Sequence, residues 1–244
     1  MELNVWSVAL AAAVTAVATG LGAIPFFFVQ GLSRKWLGLG NGIASGLMLG
    51  ASFGLIVEGM AYSWLRVVAG ILVGVFFITL SHHYLENHNR LEVGDLEGAN
   101  ALKALMIVGV MTLHSFAEGV GVGVSFGGGQ SLGLLITTAI AIHNIPEGLA
   151  ISLVLVPQGT SAWRAALWSV FSSLPQPLMA VPAFLFVTAF EPILPAGLGF
   201  AAGAMIWMVF AELIPDALED TDSDQVALAV VLAFTAMVAL QQAL

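Results

Sequence analysis

Apolar residues come in long runs, separated by short polar, glycine-rich or proline-rich breaks. A helix needs about 20 mostly apolar residues to cross the hydrocarbon core of a bilayer. At that length the pattern predicts eight spans, at roughly 5–30, 38–57, 63–83, 101–126, 131–156, 163–189, 193–215 and 225–243. The fourth and fifth are joined by Gly127-Gly128-Gly129, a turn short enough to make them antiparallel neighbours. The expected fold is all-α, a single transmembrane domain covering 1–244. The first run is too long for a signal-peptide core and has no basic residue before it, so it reads as a retained span.

Two polar phrases interrupt this pattern at mid-span. His114-Ser115-Phe116-Ala117-Glu118-Gly119 lies in the fourth run and His143-Asn144-Ile145-Pro146-Glu147-Gly148 in the fifth. Residues four apart share a helix face, so His114 stacks with Glu118 and His143 with Glu147. In an antiparallel pair both phrases fall near the midplane. Of 15 acidic residues, only Glu118 and Glu147 are at mid-span, where a charge costs about 2.5–3.5 kcal/mol on insertion scales. One such Glu reads equally as a protonated packing residue, and one His as a helix–helix contact. The doubled His-Glu pattern instead reads as a divalent metal site.

Charge chemistry narrows the guest. Two neutral imidazoles with two carboxylates are balanced by one dication, and metal entry displaces the protons that otherwise compensate. Mixed N/O ligands suit Zn(II), Fe(II), Mn(II), Co(II) and Cd(II), whereas Mg(II) and Ca(II) prefer oxygen shells. Around these ligands, Pro146 should kink its helix. Gly119 and Gly148 should admit close neighbours, with Gly121 and Gly123 extending the thin face.

Composition agrees with a membrane chain. Of 244 residues 59% are hydrophobic and 9% charged, against about 25% charged in soluble domains. No Cys is present, which removes thiolate sites and disulfides. A net charge of −9 speaks against a nucleic-acid partner. Placing the N-terminus outside puts Arg34, Lys35, Arg90, Lys103 and Arg164 in or beside inside loops and only Arg66 outside, as the positive-inside rule prefers. Both termini are then outside.

Other polar residues carry two readings each. Gln176, within Ser172-Ser173-Leu174-Pro175-Gln176-Pro177, is either a third polar group turned toward the site or part of a broken helix satisfied by its own serines. Glu58, toward the outside, is an interfacial carboxylate or an entry station. Glu212, with Asp216 a turn on, occupies the corresponding inner position. His82 and His83 end the third span, and His88 lies in the cytoplasmic loop of about 84–100; these are interfacial residues or a weak metal-collecting patch. Gly42-x-x-x-Gly46-x-Met48 with Phe53 is echoed by Gly199-x-x-x-Gly203-x-Met205 with Phe210. Close helix packing alone produces such glycines. As a repeat, it relates helices 1–3 to helices 6–8 with inverted topology around the central pair 4–5, an arrangement known in secondary transporters.

Taken together, these residues resemble the ZIP (Zrt-, Irt-like) divalent metal transporters, and among them the prokaryotic GufA-like branch. The likeness runs from Thr19-Gly20-Leu21-Gly22-Ala23-Ile24-Pro25 to Glu212-Leu213-Ile214-Pro215, and His143 to Gly148 is its most specific signature. It implies a homodimer in the cell membrane whose protomers each move metal, zinc foremost, into the cytoplasm by alternating access. An elevator-like shift of a bundle containing spans four and five is the implied motion. Position by position, His114, Glu118, His143 and Glu147 match the primary metal site. Ser115, Asn144 and Gln176, sharing Glu118 and Glu147, match a second one, and Glu212 matches the inner exit. The chain departs from the family at the second site, where Gln176 stands in place of a frequent Glu and Asn144 in place of Asp. Neutral ligands leave a second dication uncompensated, at a cost of several kcal/mol, so one firmly held ion is expected. The rival functions are an intramembrane hydrolase using metal-bound water and a metal-occupied sensory or structural protein. No His-Glu-x-x-His segment supports the first.

Overall fold

A computed structural model describes residues 4–28, 33–86, 92–93 and 96–243. Within them the fold is helical: α1 (Val5–Leu21), α2 (Arg34–Glu86), α3 (Gly98–Gly127), α4 (Gln130–Leu155), α5 (Ala162–Ser172), α6 (Pro175–Leu185), α7 (Val187–Phe190), α8 (Leu194–Met208), α9 (Ile214–Asp220) and α10 (Ser223–Ala243). The only β structure among the described residues is a two-residue antiparallel pair, Glu92–Val93 with Leu96–Glu97, before α3. His88 lies outside the described residues.

Most predicted spans become helices, and where they differ the cause is local. α1 begins on a capping box, Asn4 accepting from the Ser7 N–H while Ser7 answers the Asn4 N–H. It stops at Leu21, well short of the expected end, because Gly22 and Pro25 turn the chain into a 3₁₀ segment, Ile24–Phe27. The second and third spans run together as α2, broken only where Ser63 takes extended backbone (φ −166°, ψ 104°). A methyl placed on Gly59 would lie 2.7 Å from the Val67 side chain, whereas a straight helix separates those residues by about 12 Å. The chain therefore folds back at Ser63. The sixth span is in three pieces: α5 ends at Ser172, Pro175 opens α6, and Phe186 (φ −125°, ψ 47°) separates α6 from α7. In the seventh, α8 passes through a π segment, Val209–Leu213, into α9. Pro215, which has no N–H to give the preceding turn, accounts for that irregularity. Pro146 has a milder effect than expected, since α4 stays helical throughout Gln130–Leu155.

Small residues set the packing, as they do where helices associate without a hydrophobic driving force. Gly42 and Gly46 meet Val226, Ala229 and Val230 of α10, while Gly199 and Gly203 of α8 meet the carbonyls of Val67 and Ile71 in the second half of α2. α3 is the central element: 67% of its most apolar stretch is buried, against 17% for α10 at the periphery. Gly129 caps α4 at φ 128°, a left-handed conformation that favours glycine, and so returns α4 antiparallel to α3. Five helices among the described residues have the length and apolarity of membrane spans.

Candidate metal site

The antiparallel pair brings the two His-Glu phrases together. His114 Nε2 lies 2.7 Å from Glu147 Oε1 and 3.4 Å from Glu118 Oε1, and His143 Nε2 lies 2.9 Å from Glu147 Oε1. The imidazoles stack at 6.1 Å between centroids with 25° between planes. One ligand atom from each of the four residues fits within 4.8 Å of all the others. His114, Glu118 and Glu147 are buried, and only His143 shows a partly open side chain, 12% exposed.

Several buried atoms there lack a hydrogen-bonding partner. Both ring nitrogens of His114 and Oε2 of Glu147 make no hydrogen bond, although Nε2 of His114 comes close to Glu147 off the hydrogen-bond direction. Buried polar atoms are normally satisfied. A cluster of unsatisfied imidazole and carboxylate lone pairs is satisfied by a cation with borderline-soft ligand preferences.

The surrounding backbone is held by glycines. A Cβ on Gly148 would fall 1.6 Å from the Thr19 carbonyl oxygen, so α1 touches α4 directly behind Glu147. Gly119 likewise presses α3 against the backbone of Gln176, behind Glu118. Gly123 extends this face toward Ala180 and Ala183, but Gly121 does not: it has nothing within 4 Å and lines a cavity instead.

Gln176 is fully buried and donates from Nε2 to Oε2 of Glu118. Its Oε1 accepts from the Thr15 hydroxyl and from Nδ2 of Asn144 at 3.1 Å. Asn144 Nδ2 also donates to the Thr15 carbonyl at 2.9 Å. The serines of the broken span are satisfied elsewhere, Ser172 by the Ser169 carbonyl and Ser173 by Thr19 Oγ1 at 2.7 Å. The Gln176 side chain is thus bonded to Glu118 and not to the serines of its own broken span. Ser115 is buried on α3 beside His114. Sequence reasoning missed Thr15; its only signal was the Thr15-x-x-x-Thr19 spacing in an otherwise apolar helix.

Two spaces of very different size flank the cluster. A cavity of about 430 Å³ reaches His143 and Glu118 and is lined by Glu58, Ile136, Ala139 and Gln241. Glu58, expected as an interfacial carboxylate or a station, thus shares a space with two of the candidate ligands. Gln241 was not singled out by the sequence and is the residue packed on Gly54. On the other side, Glu212 and Asp216 line a space of only about 10 Å³ with Met106, Ile107, Val154 and Met208. His82 Nε2 bridges to Glu212 Oε1 at 2.9 Å and its ring rests on Trp207, 5.2 Å between centroids. His83, on the next position of α2, is exposed and lies outside the His114, Glu118, His143 and Glu147 cluster.

A His/Glu group able to hold a metal ion, enclosed by helices of membrane-span length, fits a multi-pass membrane protein that handles metal ions. Comparison with known proteins agrees. The family model described as ZIP Zinc transporter matches residues 79–240, and the chain belongs to that family, one of transporters and not of enzymes. A Myxococcus xanthus protein named "Zinc transporter GufA" is 34% identical over 85% of this chain and 87% of its own length. "Zinc transporter ZIPB" of Bordetella bronchiseptica is 32% identical over 93% of this chain and 78% of its own. The Arabidopsis thaliana protein named "Putative zinc transporter At3g08650" is 52% identical over 98% of this chain, which spans 39% of that protein's length. Family membership sets aside the intramembrane hydrolase.

Proposed function

We propose that this chain moves a divalent first-row transition metal ion, zinc foremost with Fe(II), Mn(II), Co(II) and Cd(II) as further candidates, across the cell membrane into the cytoplasm. His114, Glu118, His143 and Glu147 bind the ion near the midplane. The observation that carries this reading is the convergence of four imidazole and carboxylate atoms within 4.8 Å inside a helical bundle. Glu58 receives the ion in the wide cavity, and Glu212 and Asp216 receive it on the far side.

The proposed architecture is eight spans with both termini outside, working as a homodimer. α2 supplies two spans, α5 to α7 one broken span, and α8 to α9 one irregular span. Support for the inverted repeat comes from the glycine faces. Gly42 and Gly46 of the second span pack on the eighth, while Gly199 and Gly203 of the seventh pack on the third. Exchanging helices 1–3 with helices 6–8 turns one contact into the other. Under this topology the wide cavity lies on the outer side and the closed side faces the cytoplasm, which supports an outward-facing step of alternating access.

Zinc flux into proteoliposomes tests the reading. His143→Ala or Glu147→Ala should abolish saturable uptake while leaving the protein inserted and monodisperse. Unchanged flux in either variant removes the cluster from the pathway, and wild-type binding without flux points to the sensory or structural role.

A further inference from the structure

We infer that Thr15 is a positioning residue that, through the Gln176 amide, keeps Glu118 a one-oxygen ligand. The site thereby favours ions content with four or five donors, such as Zn(II), over ions that take six, such as Mn(II). The inference rests on the metal-binding reading above and adds what lets that site discriminate among first-row ions.

The two carboxylates of the cluster are not in the same condition. Glu147 presents Oε1 to both imidazoles and keeps Oε2 without a hydrogen-bond partner. Glu118 turns Oε1 toward His114, but its Oε2 already accepts from Nε2 of Gln176. With that oxygen engaged, the four residues can present at most five donors: a nitrogen from each imidazole, both oxygens of Glu147 and one of Glu118. Zn(II) is held by four ligands and expands at most to five. Mn(II) belongs with the ions of octahedral, oxygen-rich sites. Releasing Oε2 of Glu118 would supply the missing sixth donor.

Oε2 stays engaged because of the direction of the Gln176 amide, which α1 and α4 set. The Thr15 carbonyl can only accept, so the Asn144 atom 2.9 Å from it is Nδ2. That NH₂ group also reaches Gln176 at 3.1 Å and requires an acceptor there, Oε1. The Thr15 hydroxyl is the second group on Oε1, and it has one hydrogen for two acceptors, Gln176 and the Ala12 carbonyl. Ala12 lies inside α1, where the helical ladder already gives its carbonyl an N–H. The hydrogen therefore belongs with Gln176. With Oε1 committed to two donors, the NH₂ group is left facing Glu118. Close backbone contacts hold these partners in register: Gly148 meets the Thr19 carbonyl and Gly119 meets the Gln176 backbone. Thr19 Oγ1 adds a further tie to Ser173 Oγ at 2.7 Å.

Equilibrium dialysis of the purified full-length chain against zinc alone and against manganese alone tests this, the readout being the ratio of the two dissociation constants. Thr15→Val keeps the β-branched shape and removes the hydroxyl. It should move the ratio toward manganese by about fivefold, the size of one neutral hydrogen bond. Gln176→Met removes the donor outright and should move the ratio about tenfold. Thr15→Ser retains the hydroxyl and should keep the wild-type ratio. A merely loosened core weakens both metals together and leaves the ratio where it was. A wild-type ratio in Thr15→Val or in Gln176→Met, or a shifted ratio in Thr15→Ser, would overturn the inference; Thr15→Ala reads the same hydroxyl if the valine variant does not fold. His143→Ala separates the two claims. If zinc binding survives it, the cluster is misassigned and the role of Thr15 falls with it. If zinc binding is lost while the Thr15 variants keep the wild-type ratio, only the role of Thr15 fails.

Discussion

The two sides of the candidate cluster share α3, α4 and α8 yet differ sharply. Toward the start of α4 and the end of α10 there is a cavity of about 430 Å³ ending on His143 and Glu118. Toward the end of α4 and the start of α3 there is about 10 Å³, closed by methionine and aliphatic side chains and flanked by the His82–Glu212 bridge. The open side sets the small residues Gly54, Ala117, Gly121 and Ala139 among larger ones such as Phe53, Leu135 and Ile136. The closed side is filled by Met106, Ile107, Val154 and Met208. The difference lies in the space left between the helices on either side of one set of candidate ligands. Ligand chemistry itself is the same viewed from either side.

Site-directed labelling offers the sharpest way to break this comparison, because the chain contains no Cys of its own. A thiol at Ala139→Cys should react with a water-soluble maleimide about a hundredfold faster than one at Val154→Cys, the latter waiting on local opening. Equal rates would mean the two sides are not distinct in solution. Filling the open side should come next in size. Gly121 has nothing within 4 Å, so Gly121→Leu fits without strain and should cut zinc flux about tenfold by occupying the route. A normal melting temperature would separate blockage from misfolding.

Single charges should do less. Glu58→Gln should raise the half-saturating zinc concentration about threefold and flatten its dependence on ionic strength, with maximal flux unchanged, as expected when one partly screened carboxylate concentrates cations. An unchanged half-saturation would return Glu58 to the interfacial role. The smallest effect belongs to the closed side. Breaking the His82–Glu212 bridge with His82→Ala should raise flux by about twofold, since partly exposed ion pairs contribute little; a large loss would show that the bridge belongs to the route and does not merely restrain it.

Much of the site was legible because helical geometry is local. His114 with Glu118, and His143 with Glu147, share faces at a spacing of four whatever the rest of the chain does, and the Gly127-Gly128-Gly129 turn brings the two faces together. The break at Ser173 was equally visible in Pro175 and Pro177. Thr15 was not legible, since a Thr in an apolar helix most often returns its hydroxyl to its own backbone, as Thr15 also does to the Ala12 carbonyl. Neither was the donor sense of Gln176, which depends on Asn144 and Thr15 arriving from two other helices. Glu58 looked interfacial because position along a helix says nothing of which cavity that helix borders.

The sequence by itself determined the class of chain and the pairing of His114 with Glu118 and of His143 with Glu147 at a spacing of four. Each follows from transfer energetics and from the 3.6-residue period, which hold within one segment. Tertiary structure decided which carboxylate oxygen is already occupied, where Ser63 folds α2 back, and which side of the cluster is open. Those depend on relative rotation and separation between helices, quantities fixed only when side chains from distant segments compete for the same space.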